Sequence, residues 1–313
     1  MRDNFINRKL KVSAVVVNYN SGLYLKECIE GLRQHLETGF DEIIVIDNQS
    51  TDGSLALIET LPGVRVIRAQ INTGYGGGCN FGFEHTSGDI LLFMNPDVKL
   101  ISPITCVRNT FMQDANCAVV APGIIEQDNL CFSLRPLPTI ISDALSELGI
   151  NWANYSYQNS IVKEMTKESN YFQGYAQGSA IFVRREAFER VGKFDTDFFL
   201  YNEEVELFKR LADYGYRFIY DTRCMVRHGS GGSSGDLDWR KTAIRYNSKL
   251  KYFLKHSSYI GLIAHKILIL VILFFKLILY LPAAIIYRGR FNKFKAYIYA
   301  IRLYLKGYTP WLT

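Results

Sequence analysis

Four short apolar runs in the first third of the chain each lead into a polar cluster containing asparagine or aspartate, and no other feature constrains the fold as strongly. Val12 to Val17 (VSAVVV) ends at Asn18-Tyr19-Asn20, and Glu42 to Ile46 (EIIVI) ends at Asp47-Asn48-Gln49-Ser50-Thr51-Asp52-Gly53-Ser54. Val64 to Arg68 precedes INTGYGGGCNFGFEHT, and Ile90 to Met94 (ILLFM) ends at Asn95-Pro96-Asp97. Runs of this length, rich in β-branched residues, predict strands. Between the first two, Leu25, Cys28, Ile29 and Leu32 recur at helical spacing and predict a helix over 23–36, and a short helix through Leu57 and Ile58 follows the second. The alternation implies an α/β fold whose parallel sheet is covered by helices, with ligands beyond the carboxyl ends of the strands. Every polar cluster then lies at one rim, and a single shared site explains them all.

The residue chemistry at that rim suits a nucleotide. Asp47 can accept the imide N–H of a pyrimidine, and the glycines from Gly74 to Gly78 let backbone amides approach phosphate oxygens. The bland alternative for TGYGGGCN is a flexible turn. No Walker lysine-serine pair and no properly placed G-x-G-x-x-G supports another kind of phosphate site. Pro96 ends the strand's hydrogen-bond ladder at the rim, so that Asp97 projects into the site.

With 313 residues, 48% hydrophobic and 21% charged, the chain can bury a large core and exceeds one typical domain. The six cysteines (Cys28, Cys79, Cys106, Cys117, Cys131, Cys224) contain no C-x-x-C pair and have mostly apolar neighbours, so buried reduced thiols and a cytosolic catalytic part are expected. MRDNFINRKLK carries no apolar signal region. From Arg240 onward the chain is basic, which calls for an anionic partner. It also holds the longest apolar run, Ile267 to Tyr287, interrupted only by Lys276 and containing Pro282. Its 21 residues suffice for a bilayer core. Basic residues flank both of its ends, however, so no positive-inside asymmetry pulls one end across. A re-entrant or in-plane membrane contact through residues 250–313 is the expectation, at the cytoplasmic face of the inner membrane, with no nucleic acid involved. In the tail, Phe291, Phe294, Ile298, Ile301, Leu305 and Tyr308 recur on one helical face edged by Lys295, Arg302 and Lys306. The alternative is that these faces cover the same protein or a second copy in a homo-oligomer.

Taken together, Val17-Asn18-Tyr19-Asn20, Asp47-Asn48-x-Ser50-x-Asp52-Gly53-Ser54, Asn72-x-Gly74, Asn80-x-Gly82 and Asn95-Pro96-Asp97 resemble the family 2 glycosyltransferases. Gln177-Gly178-Ser179-Ala180, VRREAF, VGKFD, FFLYNEEVELFKR and VRHGSGGSS follow in the order of the rhamnosyltransferase-like branch, so the resemblance covers residues 11 to 250. It implies a GT-A, Rossmann-like nucleotide-sugar-binding fold over residues 1–240, with a nucleotide-binding half (11–100) and an acceptor and catalytic half (101–240), followed by a helical membrane-associated extension over 241–313. It also implies a dTDP- or UDP-sugar donor, dTDP-L-rhamnose above all, a saccharide acceptor carried on a lipid, and transfer of a single sugar with inversion. Asn18, Tyr19, Asn20, Asp47, Asn72, Gly74, Asn80, Asn95, Asp97, Gln177 and Gly178 are the implied donor contacts.

Asn95-Pro96-Asp97 occupies the place of the family's D-x-D motif, which holds a divalent cation against the donor diphosphate. One acid of the two remains, so Mg²⁺ or Mn²⁺ would be held largely by the pyrophosphate, with Asp97 and, by resemblance, His228 completing the shell. The reaction needs a base. Glu203 and Glu204 are the candidates, and the family register selects Glu204 in place of the family's Asp, one methylene longer. The competing reading of these acids is that they favour a helix N-terminus. A processive synthase would carry Q-x-x-R-W and several spans, whereas this chain has Asp238-Trp239-Arg240. A UDP-hexose or UDP-N-acetylhexosamine donor and a non-catalytic nucleotide-binding scaffold stand as alternatives.

Overall fold

The computed structural model describes residues 9–35, 39–164, 168–229, 239–286 and 288–307. Its strands are β1 (Val12–Asn18), β2 (Glu42–Asp47), β3 (Val64–Arg68), β4 (Ile90–Met94), β5 (Val98–Leu100), β6 (Cys117–Glu126), β7 (Asn129–Cys131), β8 (Leu134–Arg135), β9 (Ser169–Phe172), β10 (Tyr175–Ala176), β11 (Ala180–Arg184) and β12 (Arg217–His228). Its helices are α1 (Leu23–Arg33), α2 (Gly74–Phe83), α3 (Thr105–Gln113), α4 (Ile140–Glu147), α5 (Trp152–Glu164), α6 (Arg185–Arg190), α7 (Glu203–Asp213), α8 (Trp239–His256), α9 (Tyr259–Ile286) and α10 (Arg288–Lys306).

One ten-stranded sheet runs β3-β2-β1-β4-β11-β6-β12-β5, with β7 on β6 and β9 on β12. The four strands expected from the apolar runs are parallel, and β1, β2 and β4 are almost wholly buried, as near-continuous apolar strands in a covered sheet must be. The second half is mixed: β11 runs antiparallel between β4 and β6. A parallel sheet alone does not describe it. The antiparallel strand brings the Gln177-Gly178-Ser179 turn to the carboxyl end of β4, where the Asn95 amide donates to the Ser179 carbonyl at 2.9 Å.

The glycine-rich segment departs from the expected turn and forms the helix α2. Helix propensity opposes this, since each glycine costs up to about 1 kcal/mol relative to alanine. Packing reverses the balance. A Cβ on Gly78 would stand 2.7 Å from Val17 Cγ1, and one on Gly82 would stand 2.4 Å from Val15 Cγ1. The glycines let the helix lie directly on the sheet. Two of the backbone amides at its start are engaged, since Gly74 N–H donates to Asn72 Oδ1 (2.9 Å) and Tyr75 N–H to the Phe199 carbonyl (2.9 Å).

The last three helices pack on the α/β unit and on one another. Ala300, Ile301, Leu303 and Tyr304 of α10 are buried with Ile269, Ile272 and Leu273 of α9. The apolar stripe expected in the tail is therefore rotated: Phe291 and Leu305 are exposed, Ile301 is buried, and Tyr308 lies outside the described residues. Small Ala296 and Ala300, four residues apart, form the contact face because they let α10 approach its neighbours closely. A buried ionic cluster joins α9 to α4. Lys276 Nζ reaches Glu147 (2.5 Å), His265 Nε2 lies 3.0 Å from Asp143, and Lys249 of α8 bridges Asp143 (2.7 Å) and Glu147 (2.6 Å). Burial works against ionisation of Glu147, yet Lys249 and Lys276 hold its carboxyl down at about 2.

Candidate active site

The β1–β2 corner is a polar network centred on Asn18 and Asp47, in which the buried Asn48 Oδ1 has no partner among the described residues. Register pairs Asn18 with Asp47, and the Asn18 amide reaches Asp47 Oδ1 at 3.0 Å and Ser54 Oγ at 2.9 Å. Asp47 Oδ2 accepts from the Ser50 amide at 3.2 Å. Both Asn18 and Asp47 are buried, so they brace the loop, whereas Tyr19 and Asn20 stand outside it with the Tyr19 ring 55% exposed. Asn20 Oδ1 accepts from the Thr51 amide at 2.7 Å, tying the two loops together. Asn72 caps Gly74, and the Asn80 amide is engaged at both ends with Phe194, donating to its carbonyl (2.8 Å) and accepting from its N–H (3.1 Å). Asn80 thus straps the 194–204 segment to α2, using one N–H and one lone pair of its amide.

That strap carries the two acids to the rim. Gly74 has φ 76°, and a Cβ there would sit 1.9 Å from the Phe199 carbonyl oxygen. Tyr201 (φ 69°) and Asn202 (φ 65°) adopt left-handed backbone immediately before α7, a strain of about 1 kcal/mol or more each for residues other than glycine. Ser248 of α8 donates to the Leu200 carbonyl at 2.8 Å and holds this turn from beneath. The two acids then diverge. Glu203 faces α2, its Cβ 3.6 Å from where a Gly76 Cβ would be, and is 5% exposed. Glu204 lies against Gly178, with a hypothetical Cβ there 3.2 Å from its Cβ and Cγ, and is partly open to solvent.

Burial, then the neighbouring Glu204 charge, push the Glu203 carboxyl well above the usual range, and burial also raises Glu204. Two acids this close cannot both ionise easily at neutral pH. Glu203 is the more buried of the two and carries the larger upward push, and Glu204 is the one open to solvent. Glu203 Oε2, Ser179 Oγ and Asp97 Oδ1 are buried without hydrogen-bond partners among the described residues. Unsatisfied groups of this kind, gathered at one rim, call for a ligand.

Asp97 and His228 meet across the β5–β12 pair, Nε2 to Oδ2 at 3.5 Å, and the other ring nitrogen contacts Glu126 at 2.7 Å. The Asp97 carboxylate, opposed by burial and aided by Glu126, raises His228 to about 9. Sequence reading missed Glu126, although β6 (CAVVAPGIIE) is another apolar run ending on an acid, the same signal that marked Asp47 and Asp97. Among the described residues no group of three His, Cys, Asp or Glu side chains is arranged to hold a metal. The orphaned Asp97 oxygen nevertheless fits a cation that takes its remaining ligands from a diphosphate, and His228 would join it as a ligand only on giving up the proton that Asp97 and Glu126 hold on its ring. Gln177 and Gly178 reach the site through backbone: the Gln177 amide donates to the Ser133 carbonyl, and the Gly178 carbonyl accepts from Tyr75 Oη. Ser230 to Ser234 of the VRHGSGGSS stretch, and Asp238, lie outside the described residues.

A Rossmann-like sheet with a buried acid pair and an Asp–His pair at its carboxyl rim defines an α/β transferase of the GT-A type. The fold has solved likenesses: GalNAc-T7 with UDP, GalNAc and Mn2+ (TM-score 0.59, 15% identical, covering 79% of this chain and 48% of that one), and the mannosyltransferase PcManGT from Pyrobaculum calidifontis in complex with GDP-Man and Mn2+ (TM-score 0.56, 17% identical, 96% and 87%). Glycosyl transferase family 2 matches residues 13–192, more than half of the chain, and the chain belongs to that family. It is a glycosyltransferase of the rhamnosyltransferase-like type. It is similar to the N-acetylglucosaminyl-diphospho-decaprenol L-rhamnosyltransferase of Mycobacterium tuberculosis, 28% identical over 236 residues, 71% of this chain and 76% of that one. It is also similar to the rhamnosyltransferase WbbL of Escherichia coli, 25% identical over 221 residues, 67% and 80%.

Proposed function

We propose that this enzyme transfers one sugar, L-rhamnose from dTDP-L-rhamnose, with inversion, to a hydroxyl of a lipid-linked saccharide in cell-surface polysaccharide synthesis. The divergent Glu203–Glu204 pair carries the reading, because it supplies one ionised carboxylate at an open edge of the site. Glu204 takes the acceptor hydroxyl proton as the oxygen attacks the anomeric carbon from the side opposite the nucleoside diphosphate. Protonated Glu203 keeps the adjacent charge at one, so Glu204 stays basic. Asp97 and His228 would hold Mg²⁺ or Mn²⁺, which when bound offsets the charge growing on the leaving diphosphate. Tyr19 and Asn20 meet the nucleoside, braced from below by Asn18 and Asp47.

The lipid-linked acceptor is supported by the name of the mycobacterial relative and by the surface of this protein. Among the described residues one helix, over Tyr259–Leu279, is long and apolar enough to cross a membrane, and 22% of that window is buried. Ile260, Ile267, Val271, Phe274 and Ile278 form its open face, and Leu148, Ile150, Trp152 and Tyr155 are exposed beside α4, which packs on α9. The sequence from Trp239 to Thr313 contains no Asp or Glu, so its cations complement anionic headgroups. In-plane binding at the cytoplasmic membrane face fits these features, since Lys276 and His265 anchor the opposite side of α9 to α4.

A thermal-shift panel of dTDP-, UDP- and GDP-sugars with Mn²⁺ tests the donor. dTDP-L-rhamnose is expected to give the largest rise in Tm and GDP-mannose none. A larger shift with GDP-mannose overturns the pyrimidine reading of the nucleobase and the rhamnosyltransferase-like reading of the donor sugar together.

A further inference from the structure

Arg135 is a half-buried cation whose charge, like that of the proposed base, reaches Tyr175, and among the described residues it has no ion-pair partner. It sits on β8, directly opposite Tyr175 of β10 in the antiparallel register. Side chains opposite each other in such a pair lie on the same face of the ribbon. β10 packs on α7 and runs within three residues into Gly178, which touches Glu204. The charges of Glu204 and Arg135 both act on the Tyr175 hydroxyl, which burial has already raised to about 12. The position is rigid. Gly174 (φ 96°) passes so close that a Cβ on it would lie 2.2 Å from the Arg135 carbonyl oxygen, and Pro136 and Pro138 follow in SLRPLPT.

On its other side Arg135 leads into the apolar part of the molecule. Leu137 and Ile140 pack with Phe198 and Val205, and Ile140 opens α4, the helix tied to α9 by Lys276 and His265. Nearby Asp143 is already neutralised by Lys249 and His265, so it does not claim the guanidinium. From α9 to Arg135 to Glu204, the protein presents an apolar face, a cation without an ion-pair partner among the described residues, and a base. A lipid-diphosphate-linked sugar presents an apolar tail, an anion and a nucleophilic hydroxyl.

We infer that Arg135 binds the phosphate or diphosphate group of the acceptor and thereby sets the acceptor sugar against Glu204. This rests on the lipid-linked reading of the acceptor. A planar guanidinium suits two phosphate oxygens at once, which an ammonium cannot match.

The test compares two acceptors carrying the same sugar, one on a short-chain polyprenyl diphosphate and one on a neutral alkyl glycoside, with full-length wild type, Arg135→Ala and Arg135→Lys. For Arg135→Ala the ratio of kcat/KM values, charged over neutral acceptor, is expected to fall roughly 10- to 100-fold, as for loss of a charged bidentate contact. The change should appear in acceptor KM, with donor KM constant, and Arg135→Lys should recover part of it. An unchanged ratio overturns the assignment, as does a rise in donor KM, which would put the guanidinium on the donor diphosphate. Equal loss on both acceptors with a lowered Tm makes the residue structural and also overturns it. Failure of the lipid-linked reading is separate: wild type itself would then show no preference for the diphosphate-linked acceptor.

Discussion

Buried amides and acids build both the Asn18–Asp47 corner and the Glu203–Glu204 corner, yet their polar atoms are treated in opposite ways. At the first, Asn18 reaches Asp47 and Ser54 while Ser50 covers the other Asp47 oxygen, so both oxygens of the acid are engaged, although Asn48 Oδ1 beside it has no partner among the described residues. At the second, two left-handed residues lead into two adjacent acids, and Glu203 Oε2 has no partner. The donor corner is a scaffold that holds loops still. The acid corner stores strain and two carboxyls whose ionisation burial disfavours, which is where proton transfer needs them.

The sharpest way to break this contrast is to remove basicity without changing shape. Glu204→Gln should lower transfer by roughly 10²-fold or more while donor affinity, measured separately, stays constant. Glu203→Gln copies the protonated form of that residue and should keep most of the turnover. Reversed outcomes would exchange the roles, and two active variants would place the base elsewhere.

A smaller effect should come from loosening the strap that presents the acids. Gly74→Ala forces a side chain into the Phe199 carbonyl at a positive φ, and should destabilise the fold by about 2–3 kcal/mol, read as a lowered denaturant midpoint with unchanged slope. A neutral result would show that the 194–204 segment can move away, and that the glycine is not what brings α7 close.

The mildest effect is a pH dependence. Because the Glu203 pKa is raised on folding, the neutral form's stability is fully present below the ordinary Glu range and is lost as pH rises toward the raised value. Glu203→Gln escapes this loss. The Tm of the variant relative to wild type should therefore increase as pH rises from about 4.5, and a difference that is flat with pH would mean that Glu203 is ionised throughout.

Much of the donor side was legible in the chain. The strands β1, β2, β3 and β4 follow the apolar runs within a residue, and the buried positions Leu25, Cys28, Ile29 and Leu32 of α1 are those marked by spacing. Periodicity reports such elements well because one packing face decides them. The glycine segment was misread, since propensity speaks against a helix and only the approach of Val15 and Val17 across the sheet creates one. Glu126, Arg135 and the Asn80 strap depend on pairings between strands and loops far apart in sequence, which local pattern does not encode. The divergence of Glu203 and Glu204 was foreseeable from helix geometry alone.

The buried pairing of Lys276 with Glu147 has a consequence for synthesis on the ribosome. The two residues are 129 positions apart, so at roughly 5–20 residues per second the acid is made about 6–26 s before its partner. During that interval α4 can fold with the α/β unit, and Lys249 of α8, made before Lys276, is the first cation to reach Asp143 and Glu147. When α9 emerges, its lone central cation finds a ready counter-charge on protein, while burying that cation in lipid would cost about 3 kcal/mol. The Lys276–Glu147 pair thus gives the most apolar helix of the chain a protein partner at its central cation.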